Sequence, residues 1–329
     1  MSRAAAAAVA AEYHSKDFQW ETLKHEIESD PSLQYHLLPF ISPIPQQQQR
    51  QQQEAEEDAQ AWKLFHIRHS TGRFFKERRY LLKEFPELVS RGELSTLLEV
   101  GCGNGSTVLP ILRGNKEIIV YACDCSDEAL EKANKEIVDG TDAASFKHRF
   151  HPFHCDFSLH GFPKWLACDS CQKSFLPKQY NSFSDVESEN EVLVNASHSW
   201  KESGCCIGGV DFVTMIFTLS AVSPHRMPTA ITECFSVLNP GGLLLFRDYG
   251  LYDMTMLRFE PHKRVGFREY MRSDGTRSYF FCLETVRDLF LHAGFIELEL
   301  EYCCVNSENR RNSKSVRRVW VHGKFQKPV

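Results

Sequence analysis

Apolar and polar positions alternate in blocks along most of the chain. Short runs rich in β-branched and large apolar residues fall at 96–100, 118–123, 150–155, 210–217 and 242–248. Between them lie stretches with helical spacing of their apolar residues, such as 127–138 and 225–238. Near-continuous apolar strands separated by amphipathic helices predict a mostly parallel sheet covered on both faces. Beyond Asp248 the pattern changes. A helical stretch at 286–293 stops at Gly294, and 295–304 and 316–325 read as two long alternating strands, an antiparallel pair at one edge.

Two segments break this pattern. Residues 1–57 hold a glutamine-rich run at 46–53, the breaker string Ser42-Pro43-Ile44-Pro45 and then an acid cluster. Such a composition buries too little apolar surface to offset its ordering entropy, so a disordered tail is expected. A helical trace runs through it in Phe18, Trp20, Leu23 and Ile27. Residues 58–95 read as a helical segment and 96–329 as the main domain. Inside that domain, residues 166–209 are rich in Ser, Asn, Asp and Glu and read as a flexible surface insertion between the third and fourth strands. The insertion carries Cys168, Cys171, Cys205 and Cys206. One Cys-x-x-Cys with an adjacent pair is not the usual double-knuckle spacing, and adjacent cysteines chelate one metal awkwardly, so no metal site is expected.

Composition narrows the class. The 329 residues are 42% hydrophobic and 25% charged, and no run of apolar residues is long enough to span a membrane. The alanine-rich start is short and is followed by Glu12 and Asp17, which makes it a poor secretory or transit signal. Twelve cysteines lack the spacing of a small secreted disulfide scaffold, so a reducing, cytoplasmic setting is expected, with nuclear presence left open. The net charge of −5 is uneven: residues 1–60 carry ten acidic and four basic side chains, whereas 306–329 carry seven Lys or Arg and one Glu. A basic segment of this kind is compatible with a polyanionic partner, but from charge alone a solvated face is the better reading.

The candidate chemistry sits at the ends of the predicted strands. The first ends Glu99-Val-Gly101-Cys-Gly103-Asn-Gly105 and opens a helix. Glycines there allow left-handed backbone and close ligand approach. A dinucleotide fold would place its third glycine one position later, and an acid before the turn suits a cationic ligand better than a pyrophosphate. Asp124 ends the second strand, where a carboxylate can accept from both hydroxyls of a ribose. Asp156 and Phe157 end the third, suited to an exocyclic amine and an adenine ring. Ile216 ends the fourth and can cover the base. An acid after a strand is more often a helix cap than a ligand. Here three acids and a glycine turn arrive in order on strand tips that converge on one crevice, which matches an S-adenosylmethionine site.

Three further segments, Phe246-Arg-Asp-Tyr-Gly-Leu-Tyr-Asp253, Leu257-Arg258-Phe259 and Asp274-Gly-Thr-Arg-Ser-Tyr-Phe-Phe281, resemble the methyltransferase-like family that forms 3-methylcytidine in the tRNA anticodon loop. Trp62-Lys-Leu-Phe-His66, Phe74-Phe-Lys-Glu-Arg78 and the C-terminal stretch from Val319 to Pro328 carry the likeness to both ends of residues 60–329. The resemblance implies a Rossmann-like class I methyltransferase with a seven-stranded sheet and an antiparallel edge hairpin. It implies S-adenosylmethionine as methyl donor, tRNA as partner, and contacts to the donor from Gly101, Asp124, Asp156 and Ile216. Trp62 and His66 would close over it, although the family often has Tyr at the latter position. An aminoacyl-tRNA synthetase or another protein is a candidate further partner.

Cytosine N3 carries a free lone pair, so the reaction needs orientation and electrostatics rather than a general base. Asp248 is the expected stabiliser of charge developing on the base, with Tyr249 beside it as a second catalytic candidate. Tyr249, Tyr252 and Phe217 are candidate stacking partners. Lys76, Arg78, Arg79, Arg258, Arg272, Arg277 and Arg318 are candidate phosphate contacts. A small-molecule methyltransferase and a non-catalytic RNA-binding scaffold on the same fold are the alternatives.

Overall fold

The structure is a computed structural model that describes residues 16–40, 48–69, 77–89, 94–138, 143–168, 205–309 and 314–329. Five strands run parallel: β1 (Ser95–Val100), β2 (Ile118–Asp124), β3 (Phe150–His154), β4 (Val210–Ile216) and β5 (Leu238–Tyr249). After β5 come three short strands, β6 (Arg264–Gly266), β7 (Glu269–Met271) and β8 (Arg277–Tyr279), which form a small antiparallel sheet of their own. The long hairpin of β9 (Ile296–Asn309) and β10 (Lys314–Gln326) then returns to the main sheet, β10 pairing antiparallel with β5. The seven strands lie in the order β3-β2-β1-β4-β5-β10-β9. The order reverses beside β1, and in open α/β sheets the ligand crevice lies outside the carboxyl ends of the strands at that point.

Alternation along β1 shows how the two faces are filled. Leu97 packs with Ile111 of α3 (Val108–Gly114) and Ala133 of α4 (Asp127–Val138), while Leu98 packs with Ile231 of α5 (Met227–Val237) and Phe290 of α6 (Leu283–His292). The helices carry labels in chain order after α1 (Trp20–Ser29) and α2 (Gln48–Arg68), the two N-terminal helices. Among the described residues no helix is long and apolar enough to cross a membrane.

The N-terminal expectation needs correction. Residues 16–40 are folded onto the domain. Leu23 and Ile27 of α1 join a third apolar cluster with Tyr252, Met256, Tyr270 and Phe280. Trp20 stacks on Tyr302 at 4.6 Å, and His36 Nδ1 lies 2.6 Å from the Tyr270 hydroxyl. The apolar stripe of α1 is short, and its partners are more than two hundred residues away. Averaged over residues 1–57, the composition hides it. The helix α2 also runs across the expected boundary at residue 57. The rest of the expected tail, residues 1–15 and 41–47, lies outside the described residues, as does most of the insertion.

Candidate active site

A cavity of about 970 Å³ opens at the carboxyl ends of β1, β2 and β4. Its floor is the glycine turn. Gly101 has φ +65°, and a Cβ there would stand 2.5 Å from Cγ2 of Thr218. Any larger residue would therefore push the turn away from the loop after β4. Gly103 has φ +53° and donates its backbone N–H to the Asp124 carboxylate at 2.9 Å. The other Asp124 oxygen accepts from Ser126 N at 3.0 Å. Burial raises the Asp124 pKa, against these two donors and nearby His66. Each carboxylate oxygen still has a lone pair to offer a ligand.

Asp156 caps the turn that follows β3, accepting from Ser158 N at 3.1 Å and Ser158 Oγ at 2.7 Å. Phe157, Ser158 and Ile216 continue the wall. At the end of β4 the chain turns through Phe217 with φ +56°. A bulky residue in the left-handed region stores backbone strain, a pattern that clusters at ligand clamps. The turn sets the Phe217 ring in the cavity wall, 5.1 Å from the Tyr249 ring and 5.3 Å from the Arg78 guanidinium.

The opposite wall is α2. One of its faces buries Ala55, Asp58, Ala61, Phe65 and His66, and Trp62 also reaches the cavity. Asp58 interrupts the apolar run from Ala55 to Phe65 and is matched by two arginines. It accepts from Arg226 Nη2 at 2.7 Å and from Arg277 Nε and Nη2 at 3.3 Å. Arg226 donates onward to Ser158 Oγ at 2.9 Å, and Arg277 pairs with Glu269. The helix is thus fastened across the cavity to the main domain and the small sheet. Burial lowers the pKa of His66, which favours a neutral imidazole, with Asp124 opposing.

A methyltransferase-domain family matches residues 74–299. The tRNA N(3)-cytidine methyltransferase METTL6 of Rattus norvegicus is 36% identical over 278 residues, spanning 83% of this chain and 81% of that protein. The chain belongs to the tRNA N(3)-cytidine methyltransferase family. O-methyltransferase 3 of Dictyostelium discoideum is 33% identical over 253 residues, 75% of this chain and 47% of that protein. The crystal structure of an S-adenosylmethionine-dependent methyltransferase from Anabaena variabilis superposes with a TM-score of 0.51 at 15% identity, covering 82% of this chain and 94% of that one, and so shares the fold.

In this methyltransferase the residues present suit S-adenosylmethionine. The Asp124 carboxylate is held by backbone donors at the cavity edge, and the buried Oδ1 of Asn104, which also lines the cavity, has no hydrogen-bond partner among the described residues. An orphaned acceptor in a cavity suits a cationic donor such as an amino-acid ammonium. Asn104 was missed in the sequence, although it stands inside the glycine turn.

Of the sequence-based candidates, Trp62, His66, Gly101, Gly103, Asp124, Asp156, Phe157, Ile216 and Tyr249 are brought together around the cavity. Others are corrected. Glu99 is wholly buried behind the wall, accepting from the Thr214 hydroxyl, and burial pushes its pKa up to about 7. Gly105 packs beneath the turn against Ala133 and Ile137. Asp248 is also fully buried and does not line the cavity. It accepts from Ser220 N at 2.9 Å and Tyr249 N at 2.8 Å, and burial pushes its pKa up to about 6. Its carboxylate is thus occupied by the backbone of Ser220 and Tyr249, away from the cavity. Tyr252 lies under α1, bonded to Glu28 at 3.1 Å, and is no stacking partner.

The arginines divide three ways. Arg277 also lines the cavity, but its guanidinium is taken up by buried ion pairs with Asp58 and Glu269 rather than left for a phosphate. Arg78, Arg272 and Arg318 stand in the cavity wall. Arg78 donates to Thr107 Oγ1 at 2.9 Å, Arg272 bonds the Arg277 carbonyl at 3.3 Å, and Arg318 pairs with Asp253 at 2.8 Å. Arg79, paired with Glu77, and Arg258 are exposed outside it. Lys76 lies outside the described residues. Much of the basic C-terminal stretch is also used internally: Arg317 pairs with Glu26, and Lys324 with Glu87 and Glu299.

Proposed function

We propose that this chain transfers the methyl group of S-adenosylmethionine to N3 of a cytidine in the anticodon loop of tRNA. The observation that carries the reading is the continuity of one cavity. It runs from the Asp124 and Asn104 acceptors to a wall of Phe217, Tyr249 and Trp320 flanked by Arg78 and Arg318. The first end suits a cationic nucleoside donor and the second a base drawn out of an RNA loop. The family membership supports the same assignment.

The roles follow from these positions. Asp124 takes the ribose hydroxyls, Asn104 the ammonium, Asp156 and Phe157 the adenine, and Ile216 the far face of the ring. Trp62 and His66 of α2 exclude water from above. S-adenosylmethionine supplies, when bound, a methyl group on a sulfonium centre that a lone pair can displace in line. Tyr249 and Phe217 hold the cytosine ring by its face. Asp248 holds Tyr249 and the Ser220 turn in register. Arg272 and Arg318 at the wall, with Arg79 and Arg258 outside it and Lys76 nearby in sequence, guide the RNA backbone.

The test is nucleoside mass spectrometry of unmodified tRNA after incubation with the purified protein and S-adenosylmethionine. The expected product is 3-methylcytidine. Methylation of ribose hydroxyls only, or none above a no-enzyme control, would overturn the reading.

A further inference from the structure

Away from the cavity, three cysteines converge. Cys168, Cys205 and Cys206 bring their sulfur atoms within 4.8 Å of one another. Cys168 Sγ lies 3.6 Å from Cys205 Sγ and 3.5 Å from Cys206 Sγ. Two thiolates sharing a tetrahedral zinc at about 2.3 Å stand roughly 3.8 Å apart. A disulfide would bring a pair to about 2.05 Å. The observed spacing is near the first value and far from the second.

The backbone builds this cluster. Ile207 N donates to Trp165 O at 2.8 Å, and Gly209 N donates to Leu166 O at 2.9 Å. Leu166 is fully buried in the main core, so this pair of bonds is anchored. Together they fix Cys168 against a cysteine 37 positions further along the chain. The difficulty of adjacent ligands is relieved locally. Cys205 and Cys206 lie outside any strand, just before Gly208 and Gly209, whose φ values are +90° and +100°. The chain there is bent rather than pleated, and both sulfurs come within reach of Cys168.

We propose that Cys168, Cys205 and Cys206 together bind a zinc ion. Soft thiolate donors select zinc over calcium or magnesium. One Zn²⁺ displaces three thiol protons to solvent, leaving a site of net charge −1, and the fourth position takes water or a further ligand. None of the three cysteines lines the cavity. The site lies just ahead of β4, at the end of that strand away from the crevice. Its role is structural: a metal clip closing a long loop removes conformational freedom from the unfolded chain.

The test uses the full chain, purified without chelator. Elemental analysis should find one zinc per chain, and Cys168→Ser and Cys205→Ser should lose it. Cobalt(II) replacing the metal in the wild-type protein should give thiolate-to-cobalt charge-transfer absorption. Cys168→His, which keeps a zinc ligand, should retain the metal. Chelation should lower the thermal midpoint while leaving S-adenosylmethionine affinity within about twofold, since the site is remote from the cavity. Wild-type protein carrying no metal and no cobalt spectrum, or a disulfide joining any two of these cysteines by mass spectrometry, would overturn the proposal. The wild-type cobalt spectrum decides the matter even if the serine variants fail to fold.

Discussion

The two walls of the cavity are made differently. The wall at the tips of β1, β2 and β3 is local: Asp124 is fixed by backbone donors from Gly103 and Ser126, and Asp156 by Ser158, two residues away. The wall formed by α2 is long-range: Asp58 reaches Arg226 across 168 positions and Arg277 across 219. Backbone donors hold the Asp124 carboxylate and leave it able to accept from a ligand, whereas Asp156 also meets the Arg226 guanidinium at 3.6 Å. A buried ion pair is already satisfied and serves as a fastening. The first wall keeps acceptors at the cavity, and the second is fastened by charge.

The largest expected effect comes from breaking the fastening. Asp58→Ala leaves two buried guanidinium groups without their shared carboxylate, which should cost about 3–5 kcal/mol in urea unfolding. A loss under 1 kcal/mol would mean that α2 is not tied down as described.

Next is the buried acid behind the binding wall. Glu99 has its pKa raised to about 7 by burial. The unfolded value is about 4.3, so the folded state binds the proton more tightly. Its contribution to stability is fully present below about pH 4 and is lost as pH rises through about 7, a change on the order of 3 kcal/mol. Glu99→Gln should flatten the stability profile across that window. An unchanged slope would place the proton elsewhere.

The binding wall itself is tested by Asp124→Ala. Losing charged hydrogen bonds to two hydroxyls should weaken S-adenosylmethionine binding by about a hundredfold in calorimetry, with tRNA affinity held within about twofold. Equal loss of both would deny the division between the two ends of the cavity. The smallest effect belongs to Tyr249→Ala. Removing a stacking face should lower kcat/KM for tRNA by about 1–3 kcal/mol and leave S-adenosylmethionine binding unchanged.

The same contrast explains what the sequence made legible. Strand tips carrying Asp124 and Asp156 are contiguous motifs, and the parallel core is written in short apolar runs. The edge hairpin was legible from its alternation, though β9 and β10 extend beyond it to Asn309 and Lys314. The fastening was not legible, because no local pattern pairs Asp58 with Arg226 or Arg277. The strands β6, β7 and β8 span three residues each, too few for a period to register. Glu99 misled because position on a strand tip does not reveal which face a side chain takes. It shares the Leu97 side of the pleat and meets Thr214, not the crevice. Arg277 misled for a related reason: charge counted along the chain ignores the acids, Asp58 and Glu269, that fold against it.

The central claim is that Asp124 and its neighbours present a methyl donor to cytidine N3 in tRNA. The most direct measurement is 3-methylcytidine in the tRNA of cells lacking this gene, complemented with the wild-type chain or with Asp124→Ala at equal protein levels. The account expects the modified nucleoside to fall on deletion, to return with the wild-type chain and to stay low with the variant. Restoration by Asp124→Ala, or no fall on deletion, would contradict it.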